Sequence, residues 1–165
     1  MDDTPDGRLR AALDALQAGY EVLDCDPDLA DTAAFLAHYG HAADTVVNTL
    51  LVVAKRGPQT VAACAVLADS RLDVNGAVRR ALAIPKASFA PPEQTEALTG
   101  MQLGGVAPFG LPDEVRVLVD ARVLAHPRVI VGGGTRGVKL AVDPEVFRRA
   151  PRTWVVDGLA HVMES

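Results

Sequence analysis

The segment TGMQLGGVAPFGLP, residues 99–112, concentrates glycine and proline around apolar side chains and contains no charged residue, histidine or cysteine. The chemistry that such a loop offers comes from its backbone N–H and C=O groups rather than from side chains. Glycine lets a ligand approach the backbone closely, because no Cβ stands in the way. The residues alone leave two interpretations open: a loop that presents backbone groups to a ligand, or a structural turn.

Side chains with catalytic spacing are sparse in the rest of the chain. There is no GxSxG, P-loop or GxGxxG motif. The string GGGTRG at 132–137 lacks the Lys-Ser/Thr ending of a phosphate cradle, which favours a glycine-rich hairpin turn. Cys25 and Cys64 have no metal or redox spacing, and His38 and His41 have no evident third ligand. The residues therefore indicate no side-chain nucleophile, no metal and no cofactor.

Charge is distributed unevenly along a chain whose formal net charge is −5. Residues 1–50 carry ten acidic side chains and two arginines, whereas residues 122–152 carry seven basic and two acidic side chains. The basic residues of this second segment are Arg122, Arg128, Arg136, Lys139, Arg148, Arg149 and Arg152. Such an asymmetry permits a local face for an anionic ligand on an acidic protein. The alternative is a set of ordinary solvated arginines.

Helical and strand-like patterns alternate along the sequence. Helices are predicted where the 3.6-residue apolar period meets a cap or proline: within 1–19, at 32–39 after Asp31, at 74–82, from Pro91-Pro92 to Gly100, and after Asp143-Pro144. Strands are predicted at β-branched apolar runs: 20–24, 45–54, 59–67, 86–90, 115–120, two within 128–142, and 153–157. The strand at 45–54 is almost continuously apolar, which predicts burial on both faces, and KRGP at 55–58 is predicted to turn into its hairpin partner.

These elements predict an α/β (α+β) fold in which a mixed, curved, barrel-like β-sheet is surrounded by helices. The length favours one domain over residues 1–165. The apolar run at 50–54 is far too short to span a bilayer. The acidic N-terminus is unlike a signal peptide. We therefore expect a cytoplasmic protein with no membrane partner.

Three strings in fixed order, VVNTLLVVA, TGMQLGGVAPFG and VIVGGGTRGVKL, resemble the YbaK-type family of aminoacyl-tRNA deacylases, which includes the editing domain of bacterial prolyl-tRNA synthetases. The resemblance runs from about Tyr20 to Asp157. Its most specific part is the loop pattern TG-x3-GG-x2-P-x-G. It implies a mixed α/β fold around a curved sheet. It also implies trans-editing, which is hydrolysis of the ester that joins a wrong amino acid to the 3′-terminal ribose of tRNA.

This resemblance gives the loop a chemical role. An aminoacyl ester is already activated, so its hydrolysis needs mainly a positioned water and stabilisation of the developing oxyanion. Backbone groups at Gly104 and Gly105 are predicted to supply both. The predicted substrate-binding residues lie on the central strand, the loop and the glycine turn: Thr49, Val106, Pro108, Gly133, Arg136 and Lys139.

One position departs from the family pattern. The family commonly has an essential lysine before the T-L or S-L of the central strand, and here Asn48 stands in that place. An Asn amide offers two donors and one acceptor but no charge. We therefore predict that Asn48 is catalytic and donates a hydrogen bond, while Lys139 supplies the positive charge from a neighbouring strand. The alternative is that Lys139 points to solvent.

Two classes of function stay open. The first is a deacylase that clears a small amino acid from misacylated tRNA, with tRNA-Pro as one candidate. The second is a module that binds aminoacyl-tRNA or an amino-acid-like ligand without catalysis. In either case the expected partner is the acceptor end of aminoacyl-tRNA, alone or with an aminoacyl-tRNA synthetase. Neither DNA nor a cofactor is expected.

Overall fold

The computed structural model describes residues 4–55 and 59–163. The helices are α1 (Pro5–Ala15), α2 (Thr32–Tyr39), α3 (Arg79–Leu82, preceded by a π-helical turn at Val74–Val78), α4 (Pro92–Thr99) and α5 (Val146–Arg149). The strands are β1 (Tyr20–Asp24), β2 (Val47–Ala54), β3 (Val61–Leu67), β4 (Ser70–Leu72), β5 (Ala87–Phe89), β6 (Val115–Asp120), β7 (Val129–Gly132), β8 (Val138–Val142), β9 (Thr153–Val156) and β10 (Ala160–Val162). The predicted elements are confirmed with shifted ends. The predicted turn at 55–58 lies outside the described residues except for Lys55.

A five-stranded sheet in the order β5-β2-β3-β6-β9 forms the centre of the molecule. The predicted β2–β3 hairpin is antiparallel, and β5 adds antiparallel to the outer edge of β2. On the other side, β6 and β9 run parallel to β3. The β-branched residues of β2, β3 and β6 suit these inner positions, where side chains pack on both faces of the sheet. The sheet is therefore mixed, as predicted.

Two smaller sheets complete the fold, one with the order β1-β8-β7 and one that pairs β10 with β4. The three-stranded sheet meets the five-stranded sheet at a single parallel bridge between Val46 and Ile130. Within the described residues the strands do not close into a barrel, because β2 and β7 separate after this bridge. The fold is thus a mixed α+β arrangement, and its barrel-like description is not confirmed. No strand was predicted after 153–157, and β10 lies there.

The apolar core anchors the loop at 99–112. Met101, Ala107 and Phe109 are buried in the same cluster as Leu9 of α1 and Phe147 of α5. The rings of Phe109 and Phe147 lie 4.9 Å apart between centroids. This packing holds a segment that has no helix or strand, so its backbone groups have fixed positions.

Helix α2 begins and ends at the predicted residues, but the predicted side-chain cap by Asp31 is not formed. Gly40 follows its last turn with φ +74°, a left-handed conformation that glycine adopts at little cost. Asp31 precedes the helix, but its carboxylate does not cap it. The carboxylate instead accepts a hydrogen bond from Arg136, 3.1 Å away. In the described part of the chain, no helix is long and apolar enough to cross a membrane.

Candidate active site

A cavity of about 270 Å³ opens beside the outer edge of β2. Strand β5 pairs with β2 only from Val52 to Ala54, and β7 bridges to this side of the chain only at Val46, just before β2. Among the described strands, none pairs with the outer edge of residues 48–50. Asn48, Thr49 and Leu50 are half-buried for this reason, which corrects the prediction of burial on both faces.

The backbone of Thr49 is directed into this gap. The amide N–H and C=O of successive strand residues point to opposite edges. Ala90 donates to the Leu51 carbonyl from the β5 side, 2.9 Å away, while Ala54 donates toward the β3 side, to Thr60. Thr49 therefore shares the orientation of Leu51 and faces the side that lacks a strand. Its hydroxyl is buried and bonds to no described residue.

Lys139 lies on the same side of the molecule as Asn48. Asn48 and Gly132 each lie two residues beyond the parallel bridge between Val46 and Ile130, so they lie at the same height along the two strands. Gly132 of β7 pairs in turn with Lys139 of β8. The Lys139 side chain is 8 % exposed. The prediction that Lys139 points to solvent is therefore wrong.

The Lys139 ammonium group joins the helical side of the cavity to the loop. Its Nζ donates to the carbonyl of Ala30 at 2.8 Å and to the carbonyl of Gly104 at 2.5 Å. The Phe35 ring lies beneath it, 5.3 Å from Nζ to the ring centroid. Desolvation lowers the pKa of Lys139 below the usual value of a lysine. The group is thus a buried cation on the cavity wall.

Asn48 has one half of its amide engaged. The Thr32 hydroxyl at the start of α2 donates to Oδ1 of Asn48. The NH2 group forms no hydrogen bond to a described residue. Thr32 therefore fixes the orientation of the amide and leaves its donors for a ligand in the cavity.

The two predicted catalytic glycines have different surroundings. Gly104 lines the cavity, has φ +83° and forms no hydrogen bond through its N–H to a described residue. Gly105 donates its N–H to the Gln102 carbonyl at 2.9 Å, and its own carbonyl accepts from Gly134 at 2.6 Å. A Cβ on Gly105 would overlap the backbone carbonyl of Thr135. Gly105 thus joins the loop to the glycine turn, and its N–H is already used.

Arg136 does not line the cavity, and its side chain bonds to the segments that form the cavity wall. Its guanidinium donates to the carbonyl of Pro27 at 2.8 Å and of Leu103 at 2.9 Å, and to the Asp31 carboxylate at 3.1 Å. Its backbone N–H donates to the side chain of Gln102. These bonds position the wall that carries Gly104 and Asp31.

The remaining predicted contacts divide between two places. Val106 lines the cavity beside β2. Pro108 lines a separate cavity of about 360 Å³ with α1. Gly133 donates to the carbonyl of Val138 within the hairpin turn, and it is the neighbouring Gly132 that lines the site.

The structure adds wall residues that the sequence did not indicate: Thr32, Phe89, Thr95, Leu103 and Gly132, together with Asp31, predicted only as a helix cap. They come from α2, β5, α4, the loop and β7. The sequence offered little indication of these residues. The pair Asp31-Thr32, for example, is equally typical of an ordinary helix cap. Phe89 carried one clue, an aromatic residue in a short strand next to two prolines.

The basic segment at 122–152 is not a free cationic face. Five of its arginines form ion pairs with carboxylates of the protein: Arg122 with Asp69, Arg128 with Glu21, Arg136 with Asp31, Arg148 with Glu145 and Arg152 with Asp113. Arg149 donates to the Leu16 carbonyl at 2.7 Å. The seven cations named from the sequence are therefore engaged within the protein.

Comparison with known proteins gives one family and several solved folds. The sequence profile of the aminoacyl-tRNA editing domain matches residues 26–150. A crystal structure of a hypothetical protein superposes with a TM-score of 0.83 at 24% identity, over 93% of this chain and 99% of that one. A provisionally assigned trans-editing enzyme for prolyl tRNA synthetase superposes with a TM-score of 0.76 at 23% identity, over the whole of both chains.

The same fold also occurs within a larger protein. A provisionally assigned signal transduction protein from Marinobacter aquaeolei VT8 gives a TM-score of 0.62 at 15% identity. The superposition covers 94% of this chain and 30% of that one. At these identities the solved structures establish the fold.

Proposed function

We propose that this chain, which belongs to the aminoacyl-tRNA editing domain family, hydrolyses the ester bond of misacylated tRNA. The observation that carries the proposal is the cavity itself. It brings the Asn48 amide, the unpaired edge of Thr49, the Gly104 backbone and the Lys139 ammonium group to one wall. Water attack on the ester carbonyl would release the free amino acid and restore the ribose hydroxyl of the tRNA.

Polar donors on this wall suit the charge that develops in the reaction. The tetrahedral intermediate carries an oxyanion, and fixed donors in a water-poor site stabilise such a charge strongly. The Asn48 NH2 and the Thr49 N–H are free to donate to it. Lys139 holds Gly104 in place and adds positive potential. Gly105 contributes through packing rather than as a donor.

The same wall also holds a partner for the substrate's own charge. An aminoacyl ester carries an α-ammonium group, and Asp31 is the carboxylate among the described wall residues. Arg136 fixes that carboxylate in position. The volume of about 270 Å³ lies at the small end of ligand cavities, which favours a small amino acid.

A panel of mischarged tRNAs tests the proposal directly. The purified chain is incubated with each tRNA, and release of free amino acid is followed, beginning with small amino acids on tRNA-Pro. Asn48→Ala and Lys139→Ala should each lower kcat/KM by on the order of 10²-fold, as loss of one oxyanion donor does. The double variant should lose less than the product of the two effects, because neighbouring groups act together.

Thermal unfolding of each variant separates catalysis from folding. If the Tm of a variant falls together with its activity, the loss of activity reflects a damaged fold. In that case the activity of the milder Lys139→Met variant is measured instead. Binding of tRNA without release of amino acid from any member of the panel would favour the non-catalytic binding module instead.

A further inference from the structure

Two stretches of sequence beside the cavity carry positive charge without any compensating acid. Residues 45–68 and 74–92 contain five basic residues and no acidic one, although the chain as a whole has a net charge of −5. These residues are Lys55, Arg56, Arg79, Arg80 and Lys86. The first stretch forms β2 and β3, and the second leads through α3 and β5 to the start of α4.

The lysines meet at the outer end of the β2–β5 pair. The backbone N–H of Lys55 donates to the carbonyl of Lys86 at 2.9 Å, so the two residues lie opposite each other. Both side chains are exposed. Arg79 bonds to the carbonyls of Asn75 and Pro85, just before β5. No ion pair joins Lys55, Lys86 or Arg79 to any described carboxylate.

Phe89 adds an exposed aromatic ring at the mouth of the cavity. It lines the cavity from the edge strand β5, and its side chain is 54% exposed. Its partner across the strands, Val52, is completely buried. An aromatic face beside unpaired cations is the combination with which proteins hold single-stranded nucleic acid, through base stacking and contacts to phosphates.

We propose that this rim, formed by Lys55, Lys86 and Phe89, holds the unpaired 3′ end of the tRNA, with Phe89 stacked on the terminal base. This inference rests on the proposed function, since the ester in the cavity is attached to the terminal ribose. The terminal base must then lie close to the cavity mouth, where Phe89 stands. Lys86 immediately precedes β5, and it lies about 10 Å from Phe89, three residues at the usual strand rise. The two lysines contact the preceding phosphates.

The test uses a labelled RNA hairpin with a single-stranded 3′ tail, uncharged, whose dissociation constant is measured across a salt series. Phe89→Leu should weaken binding roughly 5- to 150-fold, the cost of losing one base–aromatic stack. Phe89→Tyr should restore it. Lys55→Gln and Lys86→Gln should each weaken binding and reduce the salt slope by about 1.

Matched controls lie elsewhere on the surface. Trp154 is 50% exposed on β9, at the opposite edge of the same sheet, and Trp154→Leu should bind RNA as the wild type does. Arg128→Gln removes a positive charge that is paired with Glu21, and it should leave the salt slope unchanged.

The outcomes separate the two claims. Wild-type protein that deacylates tRNA while Phe89→Leu and the lysine variants match Trp154→Leu would overturn the rim and leave the proposed function standing. Wild-type protein that binds the tailed RNA through the rim but releases no amino acid from any mischarged tRNA would overturn the deacylase instead. Loss of hairpin binding on removal of the 3′ tail is expected, and equal affinity without the tail would contradict the rim.

Discussion

Two basic regions of this protein look alike in sequence and differ in what the fold does with them. The segment at 122–152 is the more basic in sequence, yet its cations are engaged by carboxylates and carbonyls of the protein. The rim at Lys55, Lys86 and Phe89 has fewer charges, but its lysines form no ion pair with a described residue. The charges of the first region are therefore used for contacts within the protein, whereas those of the second are available to a ligand.

The difference shows that the availability of a charge depends on its neighbours in space. Arg128 and Arg136 are separated by more than 100 residues from the acids that neutralise them, Glu21 and Asp31. The acidic N-terminal part and the basic C-terminal part thus pair with each other across the fold. Segments 45–68 and 74–92 contain no acid of their own, and neither Lys55 nor Lys86 forms an ion pair with a described carboxylate.

The largest effect should come from the contact between the loop and the glycine turn. Gly105→Ala places a methyl group against the Thr135 carbonyl, and neither backbone segment can move freely. We expect a loss of unfolding free energy of about 1–3 kcal/mol or more, together with loss of activity. Chemical denaturation measures it. Gly137→Ala in the same turn is the control, since its Cβ would have 4.0 Å to the nearest atom. Equal stability of the two variants would show that this contact does not hold the loop.

Removal of the Arg136 clamp should have the next largest effect. Arg136→Ala deletes bonds to two carbonyls and to Asp31, and the pair with Asp31 is partly exposed, so it contributes about 0–1 kcal/mol. We expect kcat/KM to fall by at least tenfold while the salt dependence of RNA binding stays unchanged. Arg136→Lys should not rescue activity, because an ammonium group cannot reproduce the guanidinium fork. A reduced salt slope would instead make Arg136 an RNA contact.

A smaller effect is expected next to Arg122, where Asp120 is buried with one carboxylate oxygen that bonds to no described residue. Desolvation raises the pKa of Asp120 above its usual value. The folded state therefore binds the proton more tightly than the unfolded state, and the stability contributed by Asp120 falls as pH rises from the ordinary Asp range through the raised pKa. Asp120→Asn should thus stabilise the protein at pH 7, on the order of 1 kcal/mol. The Asn side-chain oxygen can still accept the hydrogen bond that the backbone N–H of Arg122 donates to Asp120. Thermal unfolding from pH 3.5 to 7 measures the gain, which should vanish at the acid end. A constant gain across that range would contradict this account.

The smallest effect should follow from an exposed pair of the basic segment. Arg148 and Glu145 form an ion pair one helical turn apart, with both side chains more than half exposed. Exposed pairs of this kind contribute about 0–1 kcal/mol. Arg148→Gln should therefore change neither Tm nor RNA affinity measurably. A marked loss of RNA affinity would show that the 122–152 segment binds the nucleic acid.

Local patterns carried most of the secondary structure. The helix at Leu9 and Leu13 and the hairpin around 45–67 were predictable because periodicity and turn residues act over a few positions. Strands β4 and β10 have three residues each, too few to show a period, and they were missed. The separation of the sheets depends on where β2 and β7 diverge, which no local pattern records.

The sequence by itself determined the loop, its glycines, and the family to which the chain belongs. It also placed Asn48 and Lys139 among the candidate residues, and register then brought both to one cavity. Only the tertiary structure decided that Gly105 packs against the glycine turn and that Arg136 holds the loop. It also decided that the cations of 122–152 bind partners within the protein. The reason is physical: hydrogen bonds and ion pairs form between groups that are near in space, and here the partners lie as far as 133 residues apart in the chain.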